Sequence, residues 1–600
     1  MPRKNVVSKI PKWLAYHFLF SMLMVSLGTL FFFAGICGFL NPGFLLRSAL
    51  VLGAIWIVAF FPKLKLKKDC LKFDFDGPEK MLFALIGFVV VVEIFLGILP
   101  PTARDALIHH LAIPKLYLRQ GQILNLPFAE QAYNPMLVDM LFMLPVAFSI
   151  DVLANQIHLL FAVLTASILY CFIRHISGRK SGLVAALVFL SLPVVVKSGS
   201  EAYVDLGVTY FTNLSLIILY FSLRDIPTLR WVWASGMAMG AAMASKYNGF
   251  LLNGLVVLLT IMVCYREKSD WKKALRVVAA FIGGGLFVVF PWLLRNWAWT
   301  GDPIFPFFRS TIGHMPPAFA ALGEVPPLIH RFLIYRESVL EIILLPLRIF
   351  FSGQEGIPEK FDGSLTPILL VFLPFAFLVP KKIRPIVSAG MFVSIFYLLY
   401  VCFFRILRVR YLLPMVPILV AINTLGVGYI GNKIGKRVTY SLFTLLLAVN
   451  LGAVGLRLNS KEFRGYFLKG EDRETYLSNH LPEYSVQKYA NAHLLPSDKI
   501  LFVYLGFRGY YCDIPYTYDF HDDLRTFRRW LIGAHQGQSI SDLAKAEGIN
   551  YLMLHRGFFA SSLEQDFDPK KYDVDVLKKF IEKNTKIIFS NGPIDLVAIL

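Results

Sequence analysis

Asp105, His109 and His110 fall together in the stretch ARDALIHH, directly after an apolar run that ends in Pro100-Pro101. On a helix, a carboxylate and an imidazole four residues apart share a face. At a lipid boundary that pair has the makings of a general base with a tuned pKa. Thr102 and Asp105 also have the spacing of a capping box, so a structural role for the acid fits the same letters. Adjacent helical side chains diverge by about 100°, which makes His109 and His110 a poor pair of metal ligands. Further along, Glu130 precedes the turn Tyr133-Asn134-Pro135, either as a substrate contact or as a solvated turn residue.

Glu201 and Asp205, four residues apart in SEAYVDLGV, stand where another apolar run begins. An acid entering a membrane helix is costly and marks a functional site by default. The cations are equally pointed. Lys246 lies in SKYNG, Arg295 in PWLLRNWAWTGDPIFPFF, and Arg405, Arg408 and Arg410 in FFRILRVRYLLP. Guanidinium forks suit phosphate oxygens, although snorkelling to lipid headgroups would also place arginines there. An aromatic belt accounts for the tryptophans beside Arg295.

The scaffold around these groups follows from composition. The chain has 600 residues, 56% hydrophobic and 17% charged, which describes an integral membrane protein. Its formal charge of +20 lies in short clusters between apolar runs, where topology explains it better than nucleic-acid binding does. Cys37, Cys70, Cys171, Cys264, Cys402 and Cys512 are scattered, with neither a disulfide nor a zinc-ligand spacing. The basic N-terminus followed by a long apolar stretch without a cleavage motif reads as a retained first span.

A bilayer crossing takes about 20 apolar residues. Runs near 13–38, 43–61, 81–100, 152–173, 182–197, 205–223, 275–294, 364–380, 386–404, 411–430 and 437–456 qualify. Two stretches are ambiguous, and the inward preference of Lys and Arg decides both. Basic loops such as PKLKLKKDCLK, RHISGRKSG, YREKSDWKKALR and GNKIGKR share one side only if 134–150 does not cross and 231–265 crosses twice. About thirteen transmembrane helices result. The large loops 100–151 and 295–363 then lie outside, as do Lys246 and Arg410. Residues 1–456 form the transmembrane domain and 457–600 a soluble outer one, in which three strand-like segments alternate with four helical ones, an α/β pattern without a nucleotide-binding motif.

These residues, in this order and on one side, resemble the GT-C superfamily of polyprenyl-phosphate-dependent glycosyltransferases, in particular its protein O-mannosyltransferase and aminoarabinose transferase branch. The likeness rests on ARDALIHHLAIPKLYL, EAYVDLGVTYF, SKYNG, PWLLRNWAWTGDPIFPF and RVRYLLP, and covers roughly residues 80 to 430. It implies a GT-C-like polytopic α-helical fold with a C-terminal α/β periplasmic domain, in a bacterial cytoplasmic membrane. It also implies an inverting transfer from a polyprenyl-phosphate-linked sugar to a lipid, glycan or protein acceptor at the outer face. Asp105 would be the base. Arg410 would hold the donor phosphate, with Arg408, Lys246 and Arg295 as helpers. Glu130, Glu201, Asp205, His109 and Tyr133 would contact substrate. A divalent cation is a further possibility, with no diagnostic ligand spacing. The rival reading is a transporter or flippase of a lipid-linked glycan, which would use the same arginines but should carry polar residues through the middle of its spans and show an internal repeat. A non-catalytic scaffold is the third.

Overall fold

The computed structural model describes residues 10–60, 75–223, 228–267, 270–307, 326–433, 435–519, 524–565 and 574–600. The basic stretches 1–9 and 61–74, residues 308–325 of the loop 295–363, and short parts of the basic loops at 224–227, 268–269 and 434 lie outside the described residues.

The bundle begins with α1 (Lys12–Ile36), α2 (Pro42–Phe60) and α3 (Gly77–Gly97). Asp76 and Glu79 close a capping box on α3, with a proline in its first turn. Two short helices, α4 (Ala112–Gln120) and α5 (Leu137–Ala147), occupy the loop that follows. Next come α6 (Val152–Ser177), the pair α7 (Arg179–Leu190) and α8 (Pro193–Gly199), α9 (Asp205–Leu223), α10 (Leu229–Ser245), α11 (Asn248–Arg266) and α12 (Trp271–Thr300). Three more long helices, Arg384–Phe404, Val416–Lys433 and Lys436–Arg457, complete the membrane part. Pro193 has no N–H to continue the ladder of α7, and the chain bends there by 67°.

Among the described residues ten helices are long and apolar enough to cross a bilayer, or eleven if α7 and α8 count as one bent span. The expectation of about thirteen counts two further helical segments that fall short of that length. The difference falls on α10, which has 17 residues, and on 364–380, where the helical part is a short apolar segment, Ile368–Leu378. The segment 134–150 contains only the 11-residue α5, which rises about 16 Å against about 30 Å of hydrocarbon. Residues 231–265 form two helices, α10 and α11, that part at Lys246-Tyr247.

Helix α9 is the most enclosed of the spans, 83% buried along its apolar window. Small residues let α10 and α12 approach closely beside it. A Cβ on Gly236 would stand 2.0 Å from the Phe281 carbonyl oxygen, and one on Gly240 would stand 2.4 Å from that of Gly285. Gly284 meets the Trp233 carbonyl in the same way, at 2.2 Å. Backbone packing of this kind is how membrane helices associate where lipid removes the hydrophobic drive. Gly236→Leu should therefore destabilise the protein by about 3 kcal/mol or more. Gly254→Leu on α11, where a Cβ meets open space, should leave the unfolding temperature in detergent within a degree or so of wild type.

Beyond the bundle lies a five-stranded sheet of β1 (Ile500–Val503), β2 (Tyr516–Tyr518), β3 (Tyr551–His555), β4 (Thr585–Asn591) and β5 (Ile594–Ile599), in the order β2-β1-β3-β5-β4. The first three are mutually parallel, and β5 runs antiparallel to both β3 and β4. Side chains alternate between two cores, as the two-residue period of a strand requires. Leu501, Val503, Leu552, Leu554 and Val597 pack with Phe527, Trp530, Leu577 and Phe580. Ile500, Phe502, Met553, Ile594 and Leu596 instead join the core that is continuous with the membrane bundle.

Candidate functional site

The loop between α3 and α6 carries the first acid. Asp105 precedes a π-helical turn, Ala106–His110, and its side chain caps nothing. The capping-box alternative is therefore not what the fold uses. Such π turns are frequent at functional sites, because a widened turn re-aims the side chains that follow it.

Asp105 forms an ion pair with Arg410 across 305 positions of sequence. Burial alone would raise the Asp105 pKa, but Arg410, His109 and Arg408 outweigh it and hold the carboxyl well below its usual range. Arg410 is 6% exposed, and its guanidinium lies 4.4 Å from the Tyr203 ring centre. Asp205, at the first turn of α9, accepts from Lys246 Nζ at 2.8 Å. That ammonium lies 4.9 Å over the Tyr411 ring. His110 Nδ1 is 2.6 Å from Asp139 Oδ1. Burial pushes both His109 and His110 down to about 3, so both imidazoles are neutral at physiological pH.

His158 of α6 holds the segment between α8 and α9 in place. Its Nε2 accepts from the Leu206 N–H at 2.9 Å, which leaves Nδ1 as the donor to the Ser198 and Glu201 carbonyls at 2.7 and 2.8 Å. Glu201, Tyr203 and Asp205 are thus presented from one clamped stretch. Burial raises the Glu201 pKa to about 7 against the opposing Lys197 and Arg410. A folded-state pKa above the unfolded value of 4.5 means that the folded chain keeps a proton the unfolded chain has already released. Stability should then fall as pH rises from about 4.5 to about 7, by at most about 1.4 kcal/mol per pH unit. Thermal unfolding across that window should show a shallower slope in Glu201→Gln. An unchanged slope would show that Glu201 is ionised throughout.

A second ionic group adjoins the first. Lys197 lies 3.6 Å from Glu355 and 3.9 Å from Asp362, Arg457 pairs with Glu355, and Arg408 lies 3.5 Å from Asp362. A cavity of about 100 Å³ bordered by Tyr203, Glu201, Lys197 and Arg410 lies at the junction. One of about 360 Å³ continues from Lys197 and Glu201 to Thr102 and Arg457. Several buried polar atoms here make no hydrogen bond: Arg410 Nε and Nη1, Asp205 Oδ2, Glu201 Oε2, His109 Nδ1 and His110 Nε2. Natural cores leave few such groups, and this many in one place marks ground prepared for a polar ligand.

Residues 142–295 match the dolichyl-phosphate-mannose-protein mannosyltransferase family. The chain is 28% identical over 213 residues to undecaprenyl phosphate-alpha-4-amino-4-deoxy-L-arabinose arabinosyl transferase 1 of Pseudomonas fluorescens, a match covering 33% of this chain and 36% of that protein. With arabinosyl transferase 2 from another strain of the same species the figures are 31% over 134 residues, 21% of this chain and 24% of the relative. The chain thus spans about a third or less of the length of these curated relatives. Among solved structures, ArnT from Cupriavidus metallidurans bound to undecaprenyl phosphate aligns over 86% of this chain and 98% of its own, at 14% identity and a TM-score of 0.52. The apo form gives a TM-score of 0.54. The chain has the GT-C fold.

In this GT-C chain Asp105, His109, Glu201, Asp205, Lys246 and Arg410 share one charged neighbourhood, with Arg408 at its margin. Arg295 and Tyr133 belong to a different cluster. Arg295 sits between Trp292 and Trp299, 5.4 and 5.0 Å from their ring centres, and donates to the Asn134 carbonyl at 3.0 Å and to Asn296 Oδ1 at 2.8 Å. The Tyr133 carbonyl accepts from Asn296 Nδ2 at 2.7 Å, and its hydroxyl donates to Asn125 at 2.5 Å. These bonds fasten the 125–135 loop to the end of α12. Glu130 opens that loop's 3₁₀ turn, on the same segment. Among the described residues no three His, Cys, Asp or Glu side chains converge as a metal ion needs, and Asp105 and Asp205 each already face a cation. The residues present do not fit a divalent ion.

Tyr203, Asp139, His158, Glu355, Asp362 and Arg457 enter the site or its supports without having been singled out from sequence. Asp139 carried a usable signal, a lone acid within the apolar run LVDMLFML.

Proposed function

We propose that the chain is an inverting glycosyltransferase that moves a sugar from a polyprenyl-phosphate donor to an acceptor hydroxyl or other nucleophile at the outer face of a bacterial cytoplasmic membrane. The soluble domain stands on that outer side. The observation that carries this reading is the meeting of Asp105 with Arg410, a base candidate and a phosphate-binding candidate brought together from distant parts of the chain.

An inverting displacement asks three things of a protein. The acceptor oxygen must be aligned with the anomeric carbon, its proton must be removed as the new C–O bond forms, and the departing phosphate must be held as the old C–O bond breaks. Asp105 takes the proton. Arg410 takes the phosphate, which leaves with the electrons of the broken bond. Held by Arg410, Asp105 is a weak base. A donor phosphate that occupies Arg410 weakens that hold and raises the basicity of Asp105 when substrate is in place. Lys246 is neutralised by Asp205, and this pair shapes the floor of the site. The donor chemistry is supported by the undecaprenyl phosphate bound in the aligned ArnT structure and by the names of the curated relatives.

The test is incubation of purified protein with radiolabelled undecaprenyl-phosphate sugars and candidate acceptors. Transfer that requires Asp105 supports the reading. Transport of an intact lipid-linked glycan across vesicles, with no transfer, would replace it with the flippase.

A further inference from the structure

A second, roomier cavity lies outside the charged neighbourhood of Arg410. It has a volume of about 700 Å³ and sits where the soluble domain faces the loop that carries Asp105. Its floor is the sheet at the C-terminal ends of the parallel neighbours β1 and β3. From β1 the chain turns outward to β2, and from β3 it turns the other way, into the helix Arg556–Gln565. This divergence is the topological switch point at which open α/β sheets bind ligands.

The wall chemistry is specific. Residues 504–508, after β1, contribute Tyr504, Leu505 and Arg508, and the β3 side contributes His555, Phe558 and Ser561. Phe558 is 60% exposed, and its ring stacks on His555 with centres 4.1 Å apart and planes at 25°. The outer face of the Phe558 ring is therefore an apolar platform backed by His555. His555 Nδ1 accepts from the Phe558 N–H at 3.3 Å, so the ring proton resides on Nε2 as a donor. Arg508 lies 2.8 Å from Glu483, a carboxylate only 2% exposed. Arg104 completes the lining, and among the described residues it makes no hydrogen bond or ion pair. Two guanidiniums against one carboxylate leave the cavity net positive. Arg104 also adjoins Asp105 in the chain, so the two sites share one segment of the loop.

We propose that this cavity holds an acidic saccharide unit of the acceptor, its anionic group on Arg104 and Arg508 and its ring face on Phe558. The proposal rests on the glycosyl-transfer reading for the word acceptor, but the binding itself does not depend on it. The volume lies within the range of small-molecule sites, about 300–1,000 Å³, and the combination of stacking platform, hydroxyl and charged forks is what a charged sugar offers partners for.

Saturation-transfer NMR on the full chain in nanodiscs tests the site, with glucuronic acid, glucose 1-phosphate and glucose as probes. Both charged sugars should bind about tenfold or more tightly than glucose. Ser561→Trp, which fills the cavity, and Arg104→Gln should each cut that binding about tenfold, and Arg410→Gln should leave it intact. Binding of glucose 1-phosphate alone would narrow the anion to phosphate, and of glucuronic acid alone to carboxylate. Equal binding of glucose overturns the proposal. So does binding that survives Ser561→Trp but is lost in Arg410→Gln, since the sugar would then sit at the other site. Undecaprenyl phosphate binding, measured in parallel, separates the two readings. Its absence with saccharide binding intact would sink the transferase and keep the cavity.

Discussion

Asp105→Asn should lower turnover by about 10²–10⁴-fold, the range that a positioned proton acceptor contributes. Asparagine keeps the shape of the side chain and can still accept from Arg410 but cannot take the acceptor's proton. A merely structural Asp105 predicts something else, namely loss of folding or of donor affinity. The variant should instead bind undecaprenyl phosphate more tightly than wild type, because Arg410 loses its internal anion and is left with an uncompensated charge for the phosphate to neutralise. Rate and affinity should therefore move in opposite directions. A rate within a few-fold of wild type would transfer the base to another acid of the neighbourhood, with Glu201 first, since burial raises its pKa to about 7 and one of its oxygens is unbonded.

Arg410→Gln should weaken undecaprenyl phosphate binding by about 10–100-fold, the worth of one or two charge-assisted hydrogen bonds in a buried setting. Lysine should recover only part of it. The planar guanidinium pairs with Asp105 while lying on Tyr203, and an ammonium cannot do both. The pH profile supplies a second readout. In the wild type Arg410 opposes the rise that burial would impose on the Asp105 pKa. Once it is removed the burial remains, so the carboxyl pKa rises and residual activity should disappear at a higher pH on the acid side. Calorimetry of undecaprenyl phosphate binding and a rate profile between about pH 4 and pH 8 would check both. Unchanged affinity would move the phosphate to the Lys197, Arg408 and Arg457 group.

Much of this architecture is legible in the chain because a bilayer imposes a coarse rule. Apolar runs of sufficient length must be helices, and stray charges at their ends need a reason. That rule picks out Asp105, Asp205 and Arg410. It is weakest where spans are short or broken, at α10 and Ile368–Leu378, because a helix sheltered by neighbours need not show a full apolar run. It also says nothing about which way an end residue faces. Arg295 and Arg410 look alike as letters, yet Arg295 is satisfied by Asn134, Asn296 and two indoles. Only the rotation of α12 decides that. The pairing of residues 105 and 410 was likewise out of reach, since no local pattern links positions 305 apart. Tyr203 escaped for a plainer reason. It is one of 26 tyrosines, and only the guanidinium stacked on it sets it apart.

The sheet with a different core on each side has a practical consequence. Cut away after the helix Lys436–Arg457, residues 458–600 would lose the Phe128 ring that packs on Tyr516 and Tyr518 and the hydrogen bonds of Tyr510 to Asp151 and of Tyr511 to the Pro101 carbonyl. Such a fragment should precipitate or self-associate when expressed alone, and biochemistry on the extramembrane part will need the whole polypeptide.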